Sequence, residues 1–204
     1  MLSFRNYVLI VLNTKVLDQK KLIKLWNQAQ FRVTVDGGTN QWHEIVSKFP
    51  EEIISHRPDL ITGDLDSVFP EVLEFYKEKS TKIIRTPDQN YTDFTKALQQ
   101  VEKLDCIPLY DNILAFAEHS GRLDQIFGIF ETLFHAKQIS ERPVFVTSST
   151  SIEWLLHPGY HRIVIDDHNI ETIKKLHCGL IPLGKPCPGT VDYFASFLCI
   201  SSQK

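Results

Sequence analysis

From Tyr7 to Thr147, short apolar runs alternate with segments of helical period, and no other feature constrains the fold as strongly. The runs are YVLIVL (7–12), RVTV (32–35), DLIT (59–62), KIIRT (82–86), NILAF (112–116) and PVFVT (143–147). Runs this short, rich in Val, Ile and Leu, read as buried strands. Asp18 can cap a helix with Leu22, Leu25, Trp26 and Ala29 on one face. Thr39 or Asn40 opens the next, with Trp42, Ile45, Val46 and Phe49 as its apolar side. Pro70 sits at the first turn of a third, which carries Val72, Leu73 and Tyr76. Thr92 precedes a fourth, from Asp93 to about Lys103, and Leu123 to Lys137 forms a fifth. Strand and helix in alternation require right-handed crossovers and a mostly parallel sheet covered on both faces. Residues 1–150 are therefore expected to form a Rossmann-like α/β domain.

Beyond Thr150 the pattern changes. IEWLL (152–156), HRIVID (161–166) and GLIPLG (179–184) are short runs separated by His157-Pro158-Gly159, Asp166-Asp167-His168-Asn169 and Lys185-Pro186. Such spacing reads as the start of an all-β domain over 151–204, with too little chain after it for a complete one. Apolar residues are 43% and charged residues 23% of the 204, as in a folded globular protein. The net charge of −3 argues against a broad nucleic-acid-binding face, which needs clustered Lys and Arg. Cys106, Cys178, Cys187 and Cys199 show no C-x-x-C spacing and fit reduced thiols in a cytoplasmic protein. YVLIVL is too short for a secretory segment, and no run approaches a membrane span.

Function is indicated by where the carboxylates fall. Asp36 follows RVTV, Asp64 and Asp66 follow DLIT, Asp88 and Asp93 follow KIIRT, and Asp124 follows NILAF and a Gly-Arg turn. In open parallel sheets the ligand crevice lies outside the carboxyl ends of the strands, so these acids should converge on one cleft. An acidic cleft of that kind suits Mg²⁺ with phosphate oxygens completing its coordination. Gly37-Gly38 admits close backbone approach to a ligand, and Lys96 and Arg122 can neutralise phosphate charge. Each piece also has an ordinary reading: D-x-D as a solvated turn, DGG as a tight turn, Thr92 as a helix cap, Arg122 and Asp124 as a surface pair. What separates the readings is that every acidic turn follows an expected strand.

These residues carry a family resemblance. VDGGTNQ (35–41), PDLITGDLDS (58–67), TPDQNYTDFTKAL (86–98), SGRLDQ (120–125) and HCGLIPLGKPC (177–187) resemble, in order and separation, the motifs of thiamin pyrophosphokinases. The resemblance implies an α/β ATP-binding domain followed by a β-sandwich that binds thiamin and dimerises. It also implies transfer of the pyrophosphoryl group of Mg-ATP to thiamin, giving AMP and thiamin diphosphate. It assigns Asp64, Asp66 and Asp93 to metal and phosphate, and Asp36, Gly37, Asn40, Ser67, Gln89 and Thr92 to the nucleotide. Asp124 would stand near the reacting groups with Arg122 and Gln125 beside it, and the acceptor proton would pass to Asp93 or Asp124. Gly38, Asp88 and Lys96 join the expected substrate-binding set.

Two stretches differ from the family. Ala117-Glu118-His119-Ser120 stand where glycines usually precede the Gly-Arg-x-Asp turn, and PGTVDYFASFLCISSQK (188–204) no longer resembles it. Phe194, Phe197, Leu198 and Ile200 would either complete a reduced core or form an exposed apolar tail. Two other readings are a nucleotide-binding protein that has lost the thiamin pocket, and a D-x-D phosphatase or nucleotidyl-sugar transferase.

Overall fold

A computed structural model of the chain describes residues 5–104, 109–157, 161 and 179–182. The four cysteines, the run Arg162–Asp166, the tail 188–204 and most of the expected β domain lie outside the described residues.

The strands are β1 (Tyr7–Val11), β2 (Phe31–Val35), β3 (Leu60–Gly63), β4 (Lys82–Arg85), β5 (Asn112–Phe116), β6 (Val144–Thr147) and β7 (Ile152–Trp154). The helices are α1 (Gln19–Gln28), α2 (Gly38–Lys48), α3 (Pro70–Glu78), α4 (Asp93–Glu102) and α5 (Leu123–Ile139). The strands form one sheet in the order β4-β3-β2-β1-β5-β6-β7, with β1–β2, β1–β5, β2–β3, β3–β4 and β5–β6 paired in parallel. The fold is therefore α/β with a mostly parallel seven-stranded sheet.

The local signals that start helices act where their residues stand. Asp18 accepts from Lys21 N–H at the start of α1, Thr92 accepts from Thr95 N–H at the start of α4, and Pro70 opens α3. Thr39 does not cap α2. Its hydroxyl instead hydrogen-bonds Thr34 Oγ1 at 2.9 Å inside the core, and the helix begins at Gly38. A Cβ on Gly38 would stand 2.7 Å from Val11 O, so this helix start presses on the end of β1 where only glycine fits. IEW, expected from its spacing to open the β domain, instead supplies the last strand of this sheet.

The core is formed by fully buried β1 and by β5, buried from Ile113 onward, at the centre of the sheet and by helices packed against it. α2 packs on β1, β2 and α3, while α4 packs on β2, β3 and α5. Trp26 and Trp42 stack with ring centroids 3.6 Å apart, and their indole N–H groups donate to Ser55 O and His56 O. Both rings are 0% exposed, so burial is achieved without orphaning a donor.

Strand order reverses between β1 and β5: the chain runs outward from β1 to β4, then restarts beside β1 with β5 and runs the other way. The carboxyl ends of β1 and β5 part there, and a ligand crevice is expected at that switch point. The stretch Arg5–Glu153 holds this architecture as one compact unit, and the second unit takes in the chain from Trp154 onward. Among the described residues no helix is long and apolar enough to cross a membrane.

Candidate active site

The turns after β1, β2, β3 and β4 gather at the carboxyl edge of the sheet. Asp36 follows β2 with φ +48, a left-handed conformation that aspartate tolerates, and Ser67 N–H and Asn13 Nδ2 donate to its two oxygens at 3.2 and 3.4 Å. At the end of β3, Gly63 takes φ +134, and Leu65 beyond it takes φ +65. A bulky residue in the left-handed region is strained, and here it separates the two carboxylates of the D-x-D. Asp64 faces inward, where Gln89 Nε2 donates to it at 3.3 Å, while Asp66 is exposed and accepts from Ser67 Oγ at 2.9 Å.

Asp36, Asp64 and Asp93 each present a carboxylate oxygen within 4.8 Å of the other two. Asp66, expected in the metal set, is not in this group, and Asp36, expected at the nucleotide, is. Burial pushes Asp36 above the usual carboxylate range against the hydrogen bonds of Ser67 and Gly37, and nearby Asp64 adds to the rise. For Asp64 burial acts in the same direction, but the Gln89 amide, hydrogen bonds from Asp66 and the charge of Lys96 hold it below that range. Three acidic oxygens with no nitrogen or sulfur donor among them fit a hard divalent cation such as Mg²⁺.

Lys96 is 4% exposed, and its ammonium is already engaged. Nζ donates to Thr86 O and Asp88 O, both at 2.9 Å, and stands 2.8 Å from Asp93 Oδ1. It therefore fastens the 86–92 segment onto α4 beside the carboxylates. Asp88 shapes the same segment: its Oδ1 accepts from Asn90 N–H at 2.9 Å and from Asn90 Nδ2 at 2.8 Å. Thr92 Oγ1 joins a hydroxyl triangle with Thr95 and Thr132 at 2.8 to 2.9 Å, tying α4 to α5. Asn40 grips the segment after the D-x-D, donating to Ser67 O at 2.7 Å and accepting from Phe69 N–H at 3.0 Å.

A cleft of about 280 Å³ opens beside the carboxylates, and its lining includes Gln89, Thr92, Asp93, Lys96, Asp124 and Gln125. Asn13, Thr14 and Tyr91 also line it and were missed from sequence. The signal for Asn13 and Thr14 was present, since they follow the first strand as Asp36 follows the second. Arg122 and Asp124 are exposed and paired through two contacts, at 3.1 and 2.6 Å. The guanidinium holds the Asp124 carboxyl below its usual range and makes it a weak base. A Cβ on Gly37 would meet the Asn13 side chain at 2.5 Å, so the DGG turn admits that amide close to Asp36.

This arrangement defines a class: a parallel α/β protein with a carboxylate-lined ligand cleft at its topological switch point. A family model described as the thiamin pyrophosphokinase catalytic domain matches residues 22–146. Thiamine pyrophosphokinase 3 of Oryza sativa subsp. japonica is 33% identical over 193 residues, covering 90% of this chain and 69% of its own length. Thiamine pyrophosphokinase 2 of Arabidopsis thaliana is 34% identical over 194 residues, covering 91% and 70%. Among solved structures, thiamin pyrophosphokinase from Candida albicans superposes with a TM-score of 0.61 at 25% identity, over 72% of this chain and 60% of that one. Yeast thiamin pyrophosphokinase shares the fold, with a TM-score of 0.64 at 21% identity over 76% and 62%. The present chain thus spans about three-fifths of the solved structures it matches. The chain belongs to the thiamin pyrophosphokinase family.

Proposed function

We propose that this chain is a thiamin pyrophosphokinase, which moves the pyrophosphoryl group of Mg-ATP onto the hydroxyl of thiamin and releases AMP. The observation that carries the reading is the meeting of Asp36, Asp64 and Asp93 beside the cleft of a chain from this family. Those three carboxylates would hold Mg²⁺, whose chemistry is to offset the charge that develops on phosphate oxygens as AMP leaves.

The remaining roles belong to the chain's own groups. The Gly37 amide, Asn40, Ser67, Gln89 and Thr92 surround the carboxylates and orient the nucleotide. Arg122 and Gln125, at the amino end of α5, are placed to meet the transferred phosphates. Because Arg122 keeps Asp124 weakly basic, Asp124 serves to aim the guanidinium. The thiazolium cation of thiamin suits the same acidic surroundings.

We extend the proposal to a homodimer in the cytoplasm, where Mg-ATP is abundant. In support, Ile54 and Leu109 are 80% and 91% exposed, apolar surface of the kind a subunit contact covers. The decisive test follows label from γ-³²P-ATP with thiamin present. Pyrophosphoryl transfer carries the label to thiamin diphosphate and leaves unlabelled AMP; formation of ADP and thiamin monophosphate would refute the reading.

A further inference from the structure

The bulk that this chain carries before its Gly-Arg-x-Asp turn has defined contacts. Ala117 N–H donates to Thr147 O at 2.9 Å and Glu118 N–H to Thr14 Oγ1 at 3.0 Å. The Glu118 carboxylate accepts from Ser149 N–H and Ser149 Oγ, both at 3.0 Å. His119 Nε2 lies 2.6 Å from Glu153 Oε2 on β7, and the other oxygen of Glu153 accepts from Ser151 Oγ at 2.6 Å. The His119 ring lies parallel to Phe130 of α5, with centroids 5.7 Å apart and an angle of 8°. The imidazole therefore clamps the last strand of the sheet to α5 across the root of the turn.

The turn beyond that root has little of its own to hold it. Ser120 to Gln125 are all exposed, and Gly121 takes φ +89 with nothing within 4 Å of a Cβ built there. Yet this segment presents Asp124 and Gln125 to the cleft, with Arg122 paired to Asp124.

We propose that His119 is a positioning residue: its ion pair with Glu153 fixes the root of the 120–125 turn, and neutralising the pair loosens the turn and weakens substrate binding. The inference rests on the reading of this cleft as a phosphate-transfer site.

The charges facing His119 are few. Glu153 comes from β7 and Glu118 from its own segment; α5 contributes only the uncharged Phe130 ring, and Lys21 of α1 faces Glu118 and Asp18. The hydrogen bond that His119 donates to Glu153 leads in keeping the imidazole protonated above its usual range; burial opposes it, and the charges of Glu153 and Glu118 assist. With the folded value raised above the unfolded one of about 6.5, the pair stabilises fully below that pH and is lost as pH rises through the folded value. The loosening thus falls on the alkaline side.

The test is trypsin cutting after Arg122, normalised to cutting after Lys79 and followed by mass spectrometry across about pH 6 to 9. In the native protein the normalised rate should climb with pH. In Glu153→Gln and His119→Gln it should start roughly threefold to tenfold higher and stay flat, as expected for loss of a partly buried charged hydrogen bond. KM for Mg-ATP should lose its alkaline rise in both variants while kcat changes less. Glu153→Gln keeps the size and one hydrogen bond, so it decides the matter should His119→Gln unfold. Cutting in Glu153→Gln indistinguishable from the native protein would overturn the proposal. Absence of AMP formation by the native protein would count against the function and leave this cutting result intact.

Discussion

Lys96→Met separates two roles for a lysine in an acidic cleft. The native ammonium is 4% exposed and makes two hydrogen bonds to carbonyls at 2.9 Å, with Asp93 Oδ1 at 2.8 Å. Hydrogen bonds to a charged group contribute about 1.5 to 3 kcal/mol each, so the two together contribute about 3 to 6 kcal/mol. Methionine recovers several kcal/mol of ammonium desolvation, but it leaves the Thr86 and Asp88 carbonyls unpaired. Asp93 Oδ1, the oxygen that faces the ammonium, is itself buried and loses its partner as well. The net loss should be about 2 to 3 kcal/mol, a large fraction of a total near 5 to 15 kcal/mol. Asp64 and Asp93 also lose a neighbouring positive charge, so the deficit should be larger in chelator than in saturating Mg²⁺. Urea unfolding followed by the fluorescence of buried Trp26 and Trp42 measures this directly. A variant within about 0.5 kcal/mol of native stability, with native KM for Mg-ATP, would refute the fastening role.

Other expectations come from the turn geometry and the carboxylate group. Gly63→Ala should destabilise by about 2 kcal/mol or more in a urea melt, because the residue sits at φ +134 and a Cβ would stand 3.0 Å from that of Asp36. Leu65→Gly should change stability by less than about 1 kcal/mol, since relief of left-handed strain offsets added chain entropy, while kcat falls as the D-x-D loosens. Asp36→Asn should raise the thermal midpoint in chelator, because a buried carboxylate beside Asp64 and Asp93 is removed. The same change should shrink the rise in midpoint on adding Mg²⁺, read by calorimetry with and without the ion.

The elements legible from sequence are those set by local chemistry. Asp18 and Thr92 cap with their own side chains, Pro70 needs no amide partner at the start of α3, and the apolar runs are long enough to be strands wherever they lie. Thr39 misled because its hydroxyl is used in a tertiary contact with Thr34, and IEW because three residues read alike in either setting. Within the site, Asp36, Asp64 and Asp93 were legible as acids following strands or opening a helix. That Asp36 rather than Asp66 would complete the group was not, since it depends on backbone angles at Leu65 and Asp36 that no spacing reveals. The engagement of Lys96 was hidden for a similar reason: its partners are carbonyls, which every residue carries. Asn13 and Thr14 were readable by the rule applied to the later strands, and Tyr91 lay inside a motif already singled out.

The most direct measurement is the initial rate of thiamin-dependent AMP release by the native protein and by Asp64→Asn, at saturating Mg-ATP. Among the described residues the Asp64 carboxylate is hydrogen-bonded through Gln89 and its own turn, so the substitution should leave the circular dichroism and urea midpoint essentially unchanged. The rate should fall by about 10² to 10³ or more, the usual consequence of removing a group aimed at developing charge. An Asp64→Asn protein that forms AMP within roughly tenfold of the native rate would contradict the assignment of this carboxylate group as the site of transfer.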